Sequence, residues 1–385
     1  MQFITYQIKN LAVFVFALAL RLCTMFFVKN NENVLCFDCL YDKFQEQNDV
    51  YTFFKYIHKQ GVPAKYFVLE DFKDKFKDDK NVYFVKNKWD FIFRYFFEIL
   101  KSKIIITSFG LFDGIDEVLS KYINSKYIFL EHGVIYLPKT LEKIYSPDKF
   151  NKILVPTKFT LQAYRNNKIW KEENMILSGL PRWDNLSLSN SDNKKNIFVF
   201  FSWRKVFLKK PNSAKQYIKA IVSFLDKLSS SLPLDVEISF AWHHEILKNN
   251  IMLPELNFRI NLVKTDEISD IIQKSSLLIT DYSSVCWDYF YLDKPVVFYR
   301  FDSEAQYLSD DDIIKFQELK YIDDIFPNCF YGENETLKKV IFYIENNFAL
   351  EKVYKDFISS MFWEKDKNSH KIHSEIFNSK EVVIV

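Results

Sequence analysis

No charge of one sign prevails in this sequence. Over 385 residues 52 Lys and Arg stand against 50 Asp and Glu, so there is no overall basic field, and nucleic acid is excluded as the main partner. Cysteine is sparse as well. The five present (Cys23, Cys36, Cys39, Cys286, Cys329) are odd in number and scattered, which excludes a disulfide framework and points to a reducing, cytoplasmic compartment. Cys36 and Cys39 form one C-x-x-C pair, but it lies inside the apolar run Val34 to Leu40. With no second pair or nearby histidine to complete a zinc set, they read as buried strand thiols. Long apolar runs are missing too. The best candidate, Leu11 to Leu20, is cut by Arg21 before Leu22 to Val28 resumes, and it falls short of the roughly 20 residues a bilayer-spanning helix needs. No small-x-small site follows it, which argues against a cleaved signal peptide. Two readings stay open for residues 1–30. One is a helix lying in the inner-membrane interface with Lys9, Arg21 and Lys29 near the headgroups; the other is a buried first helix of the fold. Internal repeats and low-complexity segments are also absent.

What is present is enough apolar surface, 48% hydrophobic and 18% aromatic residues, for two ordinary cores. Short β-branched or aromatic runs alternate with stretches of helical period, the pattern of parallel sheets. The first half offers Asn33 to Phe37, Lys65 to Leu69, Val82 to Val85, Lys103 to Thr107, Lys126 to Leu130 and Lys152 to Val155. The second offers Asn196 to Phe201, Asp235 to Phe240, Phe258 to Val263, Ser276 to Thr280 and Pro295 to Tyr299. Between them Asn185 to Lys195 has no apolar periodicity and reads as a linker. The expected fold class is α/β, with two doubly wound Rossmann-like domains facing a cleft and an N-terminal apolar helix. The expected divisions are 1–30, a first Rossmann-like domain at 31–187, a second at 188–345, and helices at 346–385 able to pack back on the first domain.

Doubly wound sheets bind ligands at the carboxyl ends of their strands, and this singles out a few residues. His132, followed by Gly133, comes directly after the strand Lys126 to Leu130; His243 stands in the same relation to Asp235 to Phe240. One could accept a proton from an attacking hydroxyl while the other stabilises phosphate charge. Either alone is more often structural, but the pair at equivalent strand ends is a stronger signal. Ser283 and Ser284 open a predicted helix after the strand Ser276 to Thr280, a place where free amides and hydroxyls hold anions, although an ordinary helix cap has the same look. Arg204 follows another strand end and could grip phosphate bidentately. Ser202, Asp281 and Asp288 are further cleft candidates. Asp310, Asp311 and Asp312 read as an acidic helix start, with no metal.

The stretch Thr280 to Asp302, TDYSSVCWDYFYLDKPVVFYRFD, resembles the signature of the CDP-glycerol glycerophosphotransferase family, the teichoic acid primases and polymerases. Shorter likenesses run along most of the chain: Ile105 to Ser108, Tyr127 to Gly133, Val155 to Thr157, Gly179 to Arg182, Trp203-Arg204 and Trp242-His243. The resemblance implies a glycosyltransferase-B-like fold, a membrane-associated transferase, and no required metal or cofactor beyond the donor, CDP-glycerol or a similar CDP-polyol. It carries the essential histidines onto His132 and His243, and donor-phosphate contacts onto Arg204, Ser283 and Ser284. Around the first histidine teichoic acid members usually show Trp-His-Gly-Thr-Pro-Leu-Lys, whereas this chain has Glu131-His132-Gly133-Val134-Ile135-Tyr136. That departure favours a capsule-type glycan as acceptor. The implied partners are a CDP-activated polyol, a lipid-linked or polymeric glycan and the inner-membrane surface. Rival functions are a nucleotide-sugar glycosyltransferase of the same fold and a non-catalytic glycan- or nucleotide-binding protein.

Overall fold

A computed structural model of the chain describes residues 33–42, 48–111, 115–122, 125–134, 147–168, 170–186, 195–204, 211–248, 251–302, 305, 308 and 323–378. The apolar segment 1–30, for which a membrane-interface or first core helix was expected, lies outside the described residues, as do Asp310, Asp311 and Asp312.

Of the described residues, those up to 185 together with 363–378 form one compact unit and those from 186 to 362 the other. The first unit is built on β1 (Val34–Phe37), β2 (Ala64–Leu69), β3 (Val82–Val85), β4 (Ile104–Thr107), β5 (Lys126–Phe129), β6 (Lys152–Val155) and β7 (Met175–Leu177). Its strands are all parallel, in the order β3-β2-β1-β4-β5-β6-β7. The second unit has β8 (Asn196–Phe200), β9 (Glu237–Ala241), β10 (Ile260–Leu262), β11 (Leu277–Thr280), β12 (Val296–Tyr299) and β13 (Cys329–Phe330). Here too the pairing is parallel, in the order β10-β9-β8-β11-β12-β13.

Continuous apolar runs make these strands because both faces of a parallel sheet are covered by crossover helices. β1 and β4 are buried at every position. The helix Asp49–Lys59 covers its sheet with Val50, Phe53, Phe54 and Ile57, and Pro211–Ser231 covers its own with Tyr217, Ile221, Phe224 and Leu228. Both follow the helical repeat. In each sheet the chain reverses its direction of winding beside the first strand, between β1 and β4 and between β8 and β11. Those are the switch points where open α/β sheets bind ligands.

Cys36 and Cys39 are buried thiols outside any disulfide, as the apolar run around them implies, and burial pushes that of Cys39 up to about 12. Neither is primed as a nucleophile. After Phe362 the chain returns to the first unit. Trp363 Nε1 donates to Val155 O (2.9 Å), and Asp184 accepts from the amides of Asn368 (2.8 Å) and Ser369 (2.7 Å). Asn368 Oδ1 accepts from Gly179 N (3.1 Å). A Cβ at position 179 would come within 2.5 Å of that same oxygen and 2.8 Å of the Trp183 ring, so only glycine admits this approach. Among the described residues no helix is long and apolar enough to cross a membrane.

Candidate active site

In the first unit the switch point is closed by Asp38, just after β1. Its carboxylate accepts from Ser108 Oγ (2.5 Å), at the end of β4, and from Tyr66 OH (2.8 Å). It also accepts from the amides of Val50 (3.1 Å) and Tyr51 (3.3 Å), which start the helix Asp49–Lys59. Burial, opposed by these bonds, pushes the carboxyl upward.

His132 lies two strands' width away, beyond β5, and the chain reaches it through a constrained turn: buried Glu131 sits in the left-handed region at φ 55°. A side chain there costs on the order of 1 kcal/mol, a strain that functional sites commonly store. The imidazole lies over Phe109, ring centroids 4.2 Å apart, and its Nδ1 is 3.0 Å from Ser108 O. A carbonyl can only accept, so Nδ1 carries the hydrogen and Nε2 keeps its lone pair. Burial, aided by the Arg182 guanidinium, lowers the histidine's pKa to about 4. At neutral pH His132 is therefore an uncharged base with Nε2 available. Arg182 Nη1 ties the loop down by donating to His132 O (3.3 Å) and Asp49 Oδ2 (2.7 Å). Gly133 is buried.

In the second unit the switch point is again a serine and an aspartate. Asp281, after β11, accepts from Ser202 N (2.8 Å) and Ser202 Oγ (3.0 Å), after β8. Arg204 is not an open phosphate ligand, the role expected of it. It is 1% exposed, and its Nη2 pairs with Asp281 (2.7 Å) and Asp302 (2.7 Å), its Nε with Asp302 (2.8 Å), and its Nη1 with Ser202 O (2.8 Å). Burial alone would lower its pKa; Asp302 and Asp281 outweigh that and hold it charged. Such a guanidinium fixes the Ser202 to Arg204 loop rather than offering donors to a ligand.

His243 follows β9 by two residues, in line with Phe200 (centroids 5.8 Å) and His244 (4.3 Å). Its Nδ1 accepts from Glu245 N (3.2 Å), the reverse of the His132 arrangement, so a neutral ring bears its hydrogen on Nε2 and can donate it. Ser283 and Ser284 do not open the helix as expected, because it spans only Cys286–Tyr291. They form the turn before it: Ser283 Oγ accepts from Val285 N (3.3 Å), and the first helical amides bond to Ser283 O and Ser284 O. Ser284 is half-buried. Asp288, 3% exposed, belongs to that wholly buried helix and not to a ligand surface.

The remainder of the segment Thr280 to Asp302 is architecture. Trp287 and Phe290 pack with Phe326 and Phe357. Lys294, half-buried and lowered by desolvation to about 8, caps the helix Ile268–Lys274 through Ile272 O (2.9 Å) and Gln273 O (2.7 Å). Arg300 lies over the Tyr282 ring at 4.0 Å and pairs with Asp323 (2.6 Å).

The description of CDP-glycerol:poly(glycerophosphate) glycerophosphotransferases matches residues 21–378, nearly the whole chain and all of these positions. The chain belongs to that family. Among curated relatives of this glycerophosphotransferase family, the Bacillus subtilis (strain 168) minor teichoic acid biosynthesis protein GgaB is 25% identical over 356 residues, covering 85% of this chain but 37% of GgaB. A teichoic acid glycerol-phosphate primase of Bacillus spizizenii is 26% identical over 175 residues, 43% of this chain and 44% of the primase. The chain thus spans less than half the length of these relatives. Of solved structures, a histidine-to-alanine form of the wall teichoic acid polymerase TagF superposes with TM-score 0.66 at 17% identity, covering 96% of both chains. That likeness supports the two-sheet α/β fold.

Proposed function

We propose that this glycerophosphotransferase family member moves glycerol phosphate, or a related polyol phosphate, from CDP-glycerol to a hydroxyl of a cell-surface glycan or teichoic-acid-like polymer. His132 Nε2 takes the proton of the acceptor hydroxyl, whose oxygen attacks the β-phosphorus. The new P–O bond forms as the bond to the bridging oxygen breaks, and CMP leaves with both electrons. His243 Nε2–H, the Ser284 hydroxyl and the turn amides before Cys286 would meet the charge that builds on the diphosphate. Positioning and charge stabilisation suffice for such transfer, so no metal or further cofactor is assigned. In this reading the enzyme works peripherally at the cytoplasmic face of the inner membrane on a lipid-linked or polymeric acceptor. Glu131 and Val134 around the first histidine favour a capsule-type glycan.

The observation that carries the reading is the pair of oppositely tethered imidazoles, Nδ1–H facing Ser108 O in one and Nδ1 accepting from Glu245 N in the other. In this reading one ring accepts a proton and the other donates one. A form of TagF soaked with CDPG, TM-score 0.61 at 17% identity, supports the choice of donor. The test is to offer the protein CDP-glycerol, CDP-ribitol and common nucleotide sugars. Release of CMP from a CDP-polyol is expected; release of a nucleoside diphosphate from a sugar donor instead would establish a glycosyltransferase.

A further inference from the structure

The helices Lys88–Arg94 and Phe96–Lys101 meet at Tyr95, whose amide donates to Phe91 O (3.1 Å) and whose carbonyl accepts from Ile99 N (2.9 Å). They act as one surface rod. Its inner face, Phe91, Ile92 and Ile99, is buried in the core of the first unit. Such a helix ordinarily turns polar residues outward. This one turns out Trp89, Phe93 and Phe97, 39%, 72% and 56% exposed. Spaced by four residues, they form a single stripe, and the Trp89 and Phe93 rings stack at 6.2 Å. One turn further along the same row stands exposed Lys101.

The charge around the stripe is positive. Of the acids on the rod, Asp90 is paired with Arg94 (3.1 Å) and Glu98 with Lys65 (2.7 Å). Lys86, Lys101 and Lys103 remain as exposed cations at its two ends. Aromatic rings bordered by lysines suit the boundary between anionic headgroups and acyl chains, where rings insert and ammonium groups meet phosphate. A second copy suits it less, because a two-fold contact of the stripe with itself would bring like charges together.

We propose that Trp89, Phe93 and Phe97, with Lys86, Lys101 and Lys103, form the face by which the protein rests on an anionic lipid bilayer. This rests on the reading of the enzyme as a peripheral inner-membrane protein and names the surface that reading needs.

The experiment uses the full chain and phosphatidylcholine vesicles with and without phosphatidylglycerol. Co-sedimentation is expected to need the anionic lipid and to weaken with salt. The double variant Phe93→Glu with Phe97→Glu is expected to bind about tenfold less or weaker, while Phe93→Leu with Phe97→Leu keeps most of the binding. CMP release from CDP-glycerol without lipid should be the same in all three. Quenching by brominated lipid gives a readout free of folding effects: the quenched signal of the unaltered protein should fall in Trp89→Phe. Undiminished binding by the glutamate variant, or no Trp89 share in the quenching, overturns the stripe and leaves the peripheral reading standing. If the intact chain fails to bind anionic vesicles at all, the stripe and the peripheral reading fall together, and the CMP assay judges the transferase reading separately. A lipid-free dimer in sedimentation velocity that the glutamate variant dissolves would instead make the stripe a contact between copies.

Discussion

The two units close equivalent switch points with the same two residue types and opposite electrostatics. In the first, Asp38 is answered by two hydroxyls and two amides, with no cation among its partners. In the second, Asp281 is answered by Ser202 and by Arg204, which Asp302 also holds. Burial without a cation raises the first carboxyl, whereas the second is built as a buried ion cluster. A shared topology therefore fixes where chemistry can happen without fixing how charge is handled there. The cation one would assign to phosphate is engaged in holding a loop.

The strongest way to sharpen the contrast is to remove each histidine. His132→Ala should lower turnover by about 10²- to 10⁴-fold, the range for loss of a general base, with CDP-glycerol affinity nearly kept. His243→Ala should lower turnover comparably by removing a donor to the developing charge. Single-turnover CMP release against equilibrium donor binding separates the two; a normal rate in either variant removes that histidine from the chemistry. Next comes Arg204→Ala, which strands two buried carboxylates and should cost about 3–5 kcal/mol in urea unfolding. A loss confined to donor affinity, with stability unchanged, would return Arg204 to the role of phosphate ligand.

Smaller effects separate the two aspartates. Asp281→Asn leaves Arg204 short of one partner and should cost about 1–3 kcal/mol, whereas Asp38→Asn strands no cation and should cost about 1 kcal/mol or less. Equal costs would erase the contrast. A further effect is on pH. His132 is depressed to about 4 from an ordinary 6.5, so between those values the unfolded chain takes up a proton that the folded one refuses. Stability from this group is complete above pH 6.5 and declines as pH falls toward 4, by roughly 1–3 kcal/mol in all. The acid limb of kcat/KM should likewise lie below pH 6. A limb at 6.5 that vanishes in His132→Ala would show the ring to be solvated.

Much of this was legible in the sequence, for a physical reason. Strands such as Ile104–Thr107 are covered on both faces, so their whole length is apolar and stands out. β7 and β13 were not legible, being three and two residues long, with Leu177 exposed and Cys329 and Phe330 only half-buried. The histidines could be placed because each follows a strand. What each ring nitrogen does could not be, since that depends on Ser108, 24 residues before His132, and on a local turn at Glu245. Arg204 was misjudged for the same reason: a basic residue after a strand looks like a ligand until Asp302, 98 residues later, arrives to bind it. The left-handed turn at Glu131 carried no signal, because nothing in the letter Glu announces it.

The return of the chain to the first unit sets a timetable for its synthesis. Asp184 emerges long before its partners Asn368 and Ser369, and at 5–20 residues per second the gap is about 10 to 40 s. Throughout that interval the second unit, continuous in sequence, can complete its sheet. The first must wait with the Gly179 to Asp184 surface bare and open to chaperones or to misplaced neighbours. Of the two units, the one that starts first is thus the one finished last.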